Sequence, residues 1–257
     1  MQLGRALSWA AERFPERTAI GGPDPLTYRR WDARTSQYAR ALADAGAHPG
    51  ERVVFLLANG GPLASLHLAT QKLGVVSTPL NTRYGEGEVA YCVADAGPAV
   101  VVTDRSTAHF LGPVRDRLAD SSRRGPRPAF LHVGDDVPTG SVALDGLAAG
   151  QPDGPLSIPV GPGDPSVMLY TSGTTGRPKG VPRTQHNEWS AALAHVVQCR
   201  YDMAGEATLG AMPLFHTMGI RSLLSMLVVG GRWAPVPALD PAQVAETLRE
   251  EGVSCLY

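Results

Sequence analysis

With 257 residues, 43% of them hydrophobic and 18% charged, and a formal net charge of -1, the chain is long enough for one large folded domain or two small ones. That balance excludes a disordered polyelectrolyte and gives no whole-chain attraction to nucleic acid or an anionic membrane. No stretch nears the roughly 18 apolar residues of a membrane span, and the first ten residues lack a signal peptide's continuous apolar core, so a cytoplasmic protein is expected. Along the chain, Trp31, Thr35, Tyr38, Leu42 and Ala45 recur at helical spacing, and Gly46 stands where a helix over 29–45 would end. Pro49-Gly50 then leads into residues 52–57, whose unbroken apolar character suits a strand buried on both faces. The alternation repeats, with strands expected at 75–79, 99–103, 129–133, 166–170, 207–212, 232–236 and 253–257. Helices are expected at 62–73, 86–96, 106–119, 185–198, 217–229 and 241–251. Such βα alternation predicts an α/β fold of helix-covered, mainly parallel β-sheets. Residues 121–128 and 134–165, rich in Gly, Pro, Ser and Asp, read as exposed connections. Arg123, Arg124 and Arg127 read as a solvated loop, since nucleic-acid contact needs a broader basic patch. Cys92, Cys199 and Cys255 have neither metal-ligand spacing nor a pairing framework; they read as buried small hydrophobes, and no metal site is expected from them.

The run Thr171-Ser-Gly-Thr-Thr-Gly-Arg-Pro-Lys-Gly180 directly follows an apolar stretch and gathers small and hydroxyl residues ahead of one lysine. Glycines let backbone approach an anion closely, hydroxyls donate to phosphate oxygens, and Lys179 supplies a point charge. The run therefore reads as a loop that grips a polyphosphate. It is not a Walker A loop, because Arg177 and Pro178 separate Gly176 from Lys179. Nor does it fit a dinucleotide fingerprint, which needs a closer glycine pair and no Pro178 at the helix start.

This run resembles the phosphate-loop signature of the adenylate-forming (AMP-binding) superfamily, which holds acyl-CoA synthetases, peptide-synthetase adenylation domains and beetle luciferases. Leu26-Thr-Tyr28, the segment from Gly50 to Leu57, the segment from Gly74 to Asn81 and Met212-Pro-Leu-Phe-His216 fall in that family's order and approximate spacing. The resemblance implies that residues 1–257 are part of an N-terminal adenylation domain, without the C-terminal domain that bears the family's catalytic lysine. The chain is expected to be a fragment or one half of a split system, because 253–257 reads as the start of a strand.

By resemblance, Thr171, Ser172, Gly173, Thr174, Thr175, Gly176 and Lys179 hold the β- and γ-phosphates of ATP, and Lys179 also serves catalysis. His216 matches the aromatic or histidine position that borders the acyl pocket and gates the path to the pantetheine channel. Peptide-synthetase domains typically carry Phe-Asp where this chain has Phe215-His216, so the resemblance leans toward CoA ligases. The segment 205–257 looks closest to chlorobenzoate-type CoA ligases, which leans toward an aromatic or cyclic acid. Met212, Leu214, Phe215, Met218 and Ile220 fit either core packing or an acyl pocket. His186 matches loosely, since the family often has histidine where this chain has Gln185. The implied reaction activates a small carboxylic acid as an acyl-adenylate with release of pyrophosphate and passes it to CoA, with ATP and Mg²⁺ as cofactors. A carrier-protein thiol is the alternative acceptor, a non-catalytic nucleotide-binding scaffold is the alternative class, and homodimerisation stays open.

Overall fold

The computed structural model describes residues 2–120, 127–172, 176–202, 205–236 and 240–256. Gly173, Thr174, Thr175, Arg123, Arg124 and Tyr257 lie outside the described residues. The strands are β1 (Thr18–Ile20), β2 (Leu26–Thr27), β3 (Arg52–Leu56), β4 (Val76–Pro79), β5 (Val100–Asp104), β6 (Ala129–Val133), β7 (Val142–Ala143), β8 (Pro165–Thr171), β9 (Lys179–Thr184), β10 (Ala207–Gly210) and β11 (Arg232–Pro235). The helices are α1 (Leu3–Arg13), α2 (Tyr28–Asp44), α3 (Gly61–Leu73), α4 (Glu86–Ala96), α5 (Leu111–Asp120), α6 (Leu144–Ala149), α7 (Gln185–Cys199), α8 (Thr217–Val229) and α9 (Pro241–Glu250).

Two sheets form among the described residues. One has seven strands in the order β7-β6-β5-β3-β4-β8-β9, parallel except for β9, which runs antiparallel to β8. The other has the order β10-β11-β1-β2, with only β2 antiparallel. The α/β class with mainly parallel sheets agrees with the sequence. Strand β3 shows why its run is apolar throughout. Val53 and Phe55 join the larger core cluster, with Leu7, Leu42, Leu66 and Leu224 from the helices, whereas Val54 and Leu56 join a second cluster with Val89, Val93 and Val114. Alternate side chains of one strand thus feed two cores, as the two-unit period of a pleated strand requires.

The structure departs from the sequence reading at several places, among them α1 and β1, which carried no expected element, and α5, which starts at Leu111 rather than at 106. Strand β9 stands where 179–184 carried no expected element, and Gly180 and Pro182 hid it; its place at the sheet edge is what makes a proline tolerable there. Strand β7 and helix α6 lie inside 134–165, where Leu144 and Ala148 are buried. Residues 253–256 form no strand, and Cys255 makes only an isolated parallel bridge to Thr208. Of the cysteines, Cys92 is buried as expected, but Cys199 is exposed and Cys255 half-buried.

Candidate active site

In the parallel strands β3, β4 and β8 the chain leaves the sheet at one carboxyl edge, the place where open α/β sheets bind ligands. Three connections emerge there: 57–60, 80–85 and 172–178. On either side of the last, β8 and β9 pair as an antiparallel hairpin. Its register pairs Leu169 with Val181, Tyr170 with Gly180, and Thr171 with Lys179. Thr171 and Lys179 therefore face each other at the mouth of the loop, and both are exposed, as are Ser172 and Gly176. Gly176 has φ of +79°, a conformation that glycine adopts without strain. Gly180 is crowded by side chains of the facing strand. A Cβ there would lie 2.9 Å from Met168 Sδ and 3.2 Å from Tyr170 Cζ, because the Tyr170 ring lies across the strand and donates its hydroxyl to Asp95 Oδ2 at 2.7 Å. On the outer shoulder of the loop the Arg177 guanidinium stands 5.5 Å from the Tyr91 ring centre, beside a cavity of about 480 Å³ also walled by Glu88, Arg117 and Asp120.

His216 reaches the same edge from the second sheet. After β10 the chain makes a turn at 211–216, closed by the His216 amide donating to the Pro213 carbonyl at 2.9 Å. His216 is the N-cap residue of α8, with extended backbone, and its carbonyl accepts from the Ile220 amide. Gly219 permits this folding-back, since a Cβ on it would sit 2.1 Å from the Pro213 carbonyl oxygen. The His216 ring is exposed, packs 4.5 Å from the Phe215 ring, and is held below the usual histidine range by partial desolvation and then by the charge of Arg83 in the connection after β4. That shift favours the neutral imidazole. Leu214 and Ile220 are buried in the core, and Met212, Phe215 and Met218 are half-buried along the turn and first helical turn.

Two residues that carried no sequence expectation tie these parts together. Asn59, after β3, donates from Nδ2 to the Gly210 carbonyl at 2.7 Å and accepts from the Leu214 amide at 3.2 Å. One buried side chain thereby fastens the carboxyl end of β3 to the end of β10 and to the turn that carries His216. Arg183 on β9 donates to Thr217 Oγ1 at 3.1 Å and lies 2.5 Å from buried Glu188 of α7, an ion pair close in distance but off-axis for a hydrogen bond. Burial pushes the Glu188 carboxyl up, against the opposing pull of Arg183 and Arg221. The only signal for Asn59 was a polar residue between an apolar strand and Gly60-Gly61-Pro62. Arg183 had none, because β9 itself was not expected.

A feruloyl-CoA synthase of Amycolatopsis sp is 32% identical over 257 residues, covering 97% of this chain and 48% of the relative. A 4-chlorobenzoate–CoA ligase of Arthrobacter sp is 28% identical over 256 residues, covering 98% of this chain and 46% of the relative. The chain thus spans about half the length of these curated relatives. Among solved structures, that of a protein titled a long-chain-fatty-acid CoA ligase from Rhodopseudomonas palustris CGA009 superposes with a TM-score of 0.90 at 28% identity, covering 100% of this chain and 62% of that one. No helix among the described residues is long and apolar enough to cross a membrane. The AMP-binding enzyme family matches residues 7–257, more than half of the chain, and the chain belongs to that family.

Proposed function

We propose that this chain supplies the ATP phosphate-holding part of an acyl-CoA synthetase that activates a carboxylic acid as its acyl-adenylate and then transfers the acyl group to CoA. The observation that carries the reading is the hairpin register, which sets Thr171 against Lys179 at an exposed loop mouth on the carboxyl edge. A carboxylate is a poor acyl donor. In the first step a carboxylate oxygen bonds to the α-phosphorus of ATP, the bond from that phosphorus to the bridging oxygen breaks, and pyrophosphate leaves with the electron pair. The thiol of CoA, having lost its proton, next bonds to the acyl carbon, and AMP leaves. Charge builds on the departing pyrophosphate, so fixed donors aimed at it lower the barrier.

In this reading Lys179 is the point charge for the β- and γ-phosphates, and Thr171 and Ser172 donate hydroxyl hydrogen bonds to them. Gly173, Thr174, Thr175 and Gly176 complete the loop as read from the sequence. Mg²⁺ accompanies the nucleotide as its counter-ion; among the described residues no three His, Cys, Asp or Glu side chains gather as a protein-borne site. His216, its ring shifted toward the neutral form, borders the acyl group and the path of the thiol, where a charged ring would be costly to desolvate. An aromatic acid is the proposed substrate class, supported by the names of the feruloyl and 4-chlorobenzoate relatives. The proposed location is the cytoplasm, where ATP and CoA are supplied.

The test is carboxylate-dependent pyrophosphate release by the complete enzyme containing this chain, across benzoic, cinnamic and fatty acids. Release with aromatic acids supports the reading. No release with any acid sinks it.

A further inference from the structure

The hairpin that carries Thr171 and Lys179 is not paired in one continuous register. From Val167 to Thr171 each step along β8 matches one step along β9, but between Pro165 and Val167 two steps on β8 meet a single step on β9, from Thr184 to Arg183. Ser166 is the extra residue of a β-bulge. Bulged residues are left out of the ladder, and a bulge changes the register of everything beyond it. Here everything beyond it is the stretch that leads to the loop.

Ser166 is held by Gln71 of α3. Gln71 Nε2 donates to the Ser166 carbonyl at 3.1 Å, and Ser166 Oγ donates to Gln71 Oε1 at 2.7 Å. The same Oε1 accepts from Gln185 Nε2 at 2.7 Å, and Gln185 Oε1 accepts from the Leu3 amide at 3.0 Å. The second Gln71 amide hydrogen goes to Thr70 Oγ1 at 3.0 Å. Ser166, Gln71 and Gln185 are all 0% exposed, so water cannot replace any of these bonds. The buried amide therefore has both donors and its acceptor oxygen occupied, one donor and one acceptor bond going to the bulge, and Gln185, at the first position of α7, ties the other strand of the hairpin to the same point.

We infer that Gln71, with Gln185, is a register lock: by trapping Ser166 as a bulge it sets Lys179 opposite Thr171. Were the Pro165–Thr184 register carried on without the bulge, Lys179 would fall opposite Tyr170 and Pro178 opposite Thr171. Lys179 would then occupy the place of Gly180, where a Cβ would crowd Met168 Sδ at 2.9 Å and Tyr170 Cζ at 3.2 Å, and its side chain would turn to the other face of the sheet. The lock stands on geometry alone; its consequence for nucleotide binding rests on the phosphate-loop reading. Gln71 and Gln185 are positioning residues, acting through the hairpin and touching no substrate.

The test compares wild type, Gln71→Leu and Leu131→Ala in the full chain. Leu131, on β6 far across the sheet from the hairpin, controls for general loss of stability. One readout is the cross-strand nuclear Overhauser contacts of Lys179, and the other is ATP affinity by calorimetry. The Gln71→Leu protein is expected to lose the Thr171–Lys179 contacts and to bind ATP at least about tenfold more weakly, while Leu131→Ala keeps both at a lower melting temperature. If Gln71→Leu does not fold, Gln71→Met, flexible and of similar volume, takes its place. Intact Thr171–Lys179 contacts in the folded variant would overturn the lock. Should wild type itself fail to bind ATP, the phosphate-loop reading falls, and the Lys179 contacts still decide the lock.

Discussion

Gly219 and His67 show how single residues set limits that composition does not reveal. A methyl group on Gly219 would lie 2.1 Å from a backbone oxygen, an atom that cannot swing away as a flexible side chain could. Gly219→Ala is therefore expected to cost about 3 kcal/mol through overpacking, measurable by urea unfolding, and to shift the 211–216 turn. A cost below about 0.5 kcal/mol would mean the turn yields freely. His67 on α3 is buried, its Nδ1 2.9 Å from Ser77 Oγ and its Nε2 without a hydrogen-bond partner. Burial pushes its pKa down from 6.5 to about 4. The unfolded chain thus binds a proton that the folded chain refuses between those values. Stability is full above pH 6.5 and falls by about 1.4 kcal/mol per pH unit as the pH drops toward 4. Replacing the ring by His67→Gln is expected to flatten that part of the stability-versus-pH curve; an unchanged slope would assign the acid sensitivity elsewhere.

At the scale of elements, the hairpin and α7 depend on the Arg183–Glu188 pair. Glu188 is 3% exposed in its side chain, so removing Arg183 leaves a carboxylate buried with less compensation. Arg183→Met is expected to destabilise the protein by about 3 kcal/mol and to raise the Glu188 pKa further, whereas an exposed pair such as Arg29–Glu16 should contribute under about 1 kcal/mol. Equal small effects at both sites would contradict this ranking. The same elements show what could be read in advance. Strands β3 and β5 and helices α2, α4, α7 and α8 were legible from long apolar or periodic runs, and α4 and α8 end on Gly97 and Gly230, both at positive φ as left-handed caps. Strand β9 was not, since glycine and proline within a six-residue edge strand erase the local preference and only its pairing with β8 decides the outcome. Helix α1 shows Leu3, Leu7 and Ala10 on one face, a pattern short enough to pass unassigned, and its burial comes from α2, α3 and α8.

At the scale of the molecule, the two sheets are joined at the edge that carries the candidate site. Asn59 does this with one side chain, so Asn59→Leu is expected to cost about 2 kcal/mol, the price of leaving the buried Gly210 carbonyl and Leu214 amide unpaired. Thermal unfolding of that variant measures it, and an unchanged melting temperature would show that the sheets are held together elsewhere. The residues proposed for the site stand out in the sequence because hydroxyls, glycines and one lysine in that order are what a phosphate-holding loop would need. Their arrangement was not legible, because the facing of Thr171 and Lys179 depends on a bulge at Ser166 and on a glutamine 95 residues away in sequence.

Lys179 at the mouth of this hairpin is proposed to hold the phosphates of ATP. Calorimetric titration of ATP into wild type and Lys179→Ala tests it most directly. Wild type is expected to bind and the variant to bind at least about tenfold more weakly, the effect of losing one charge-assisted phosphate contact. Equal affinity in the two proteins would contradict it.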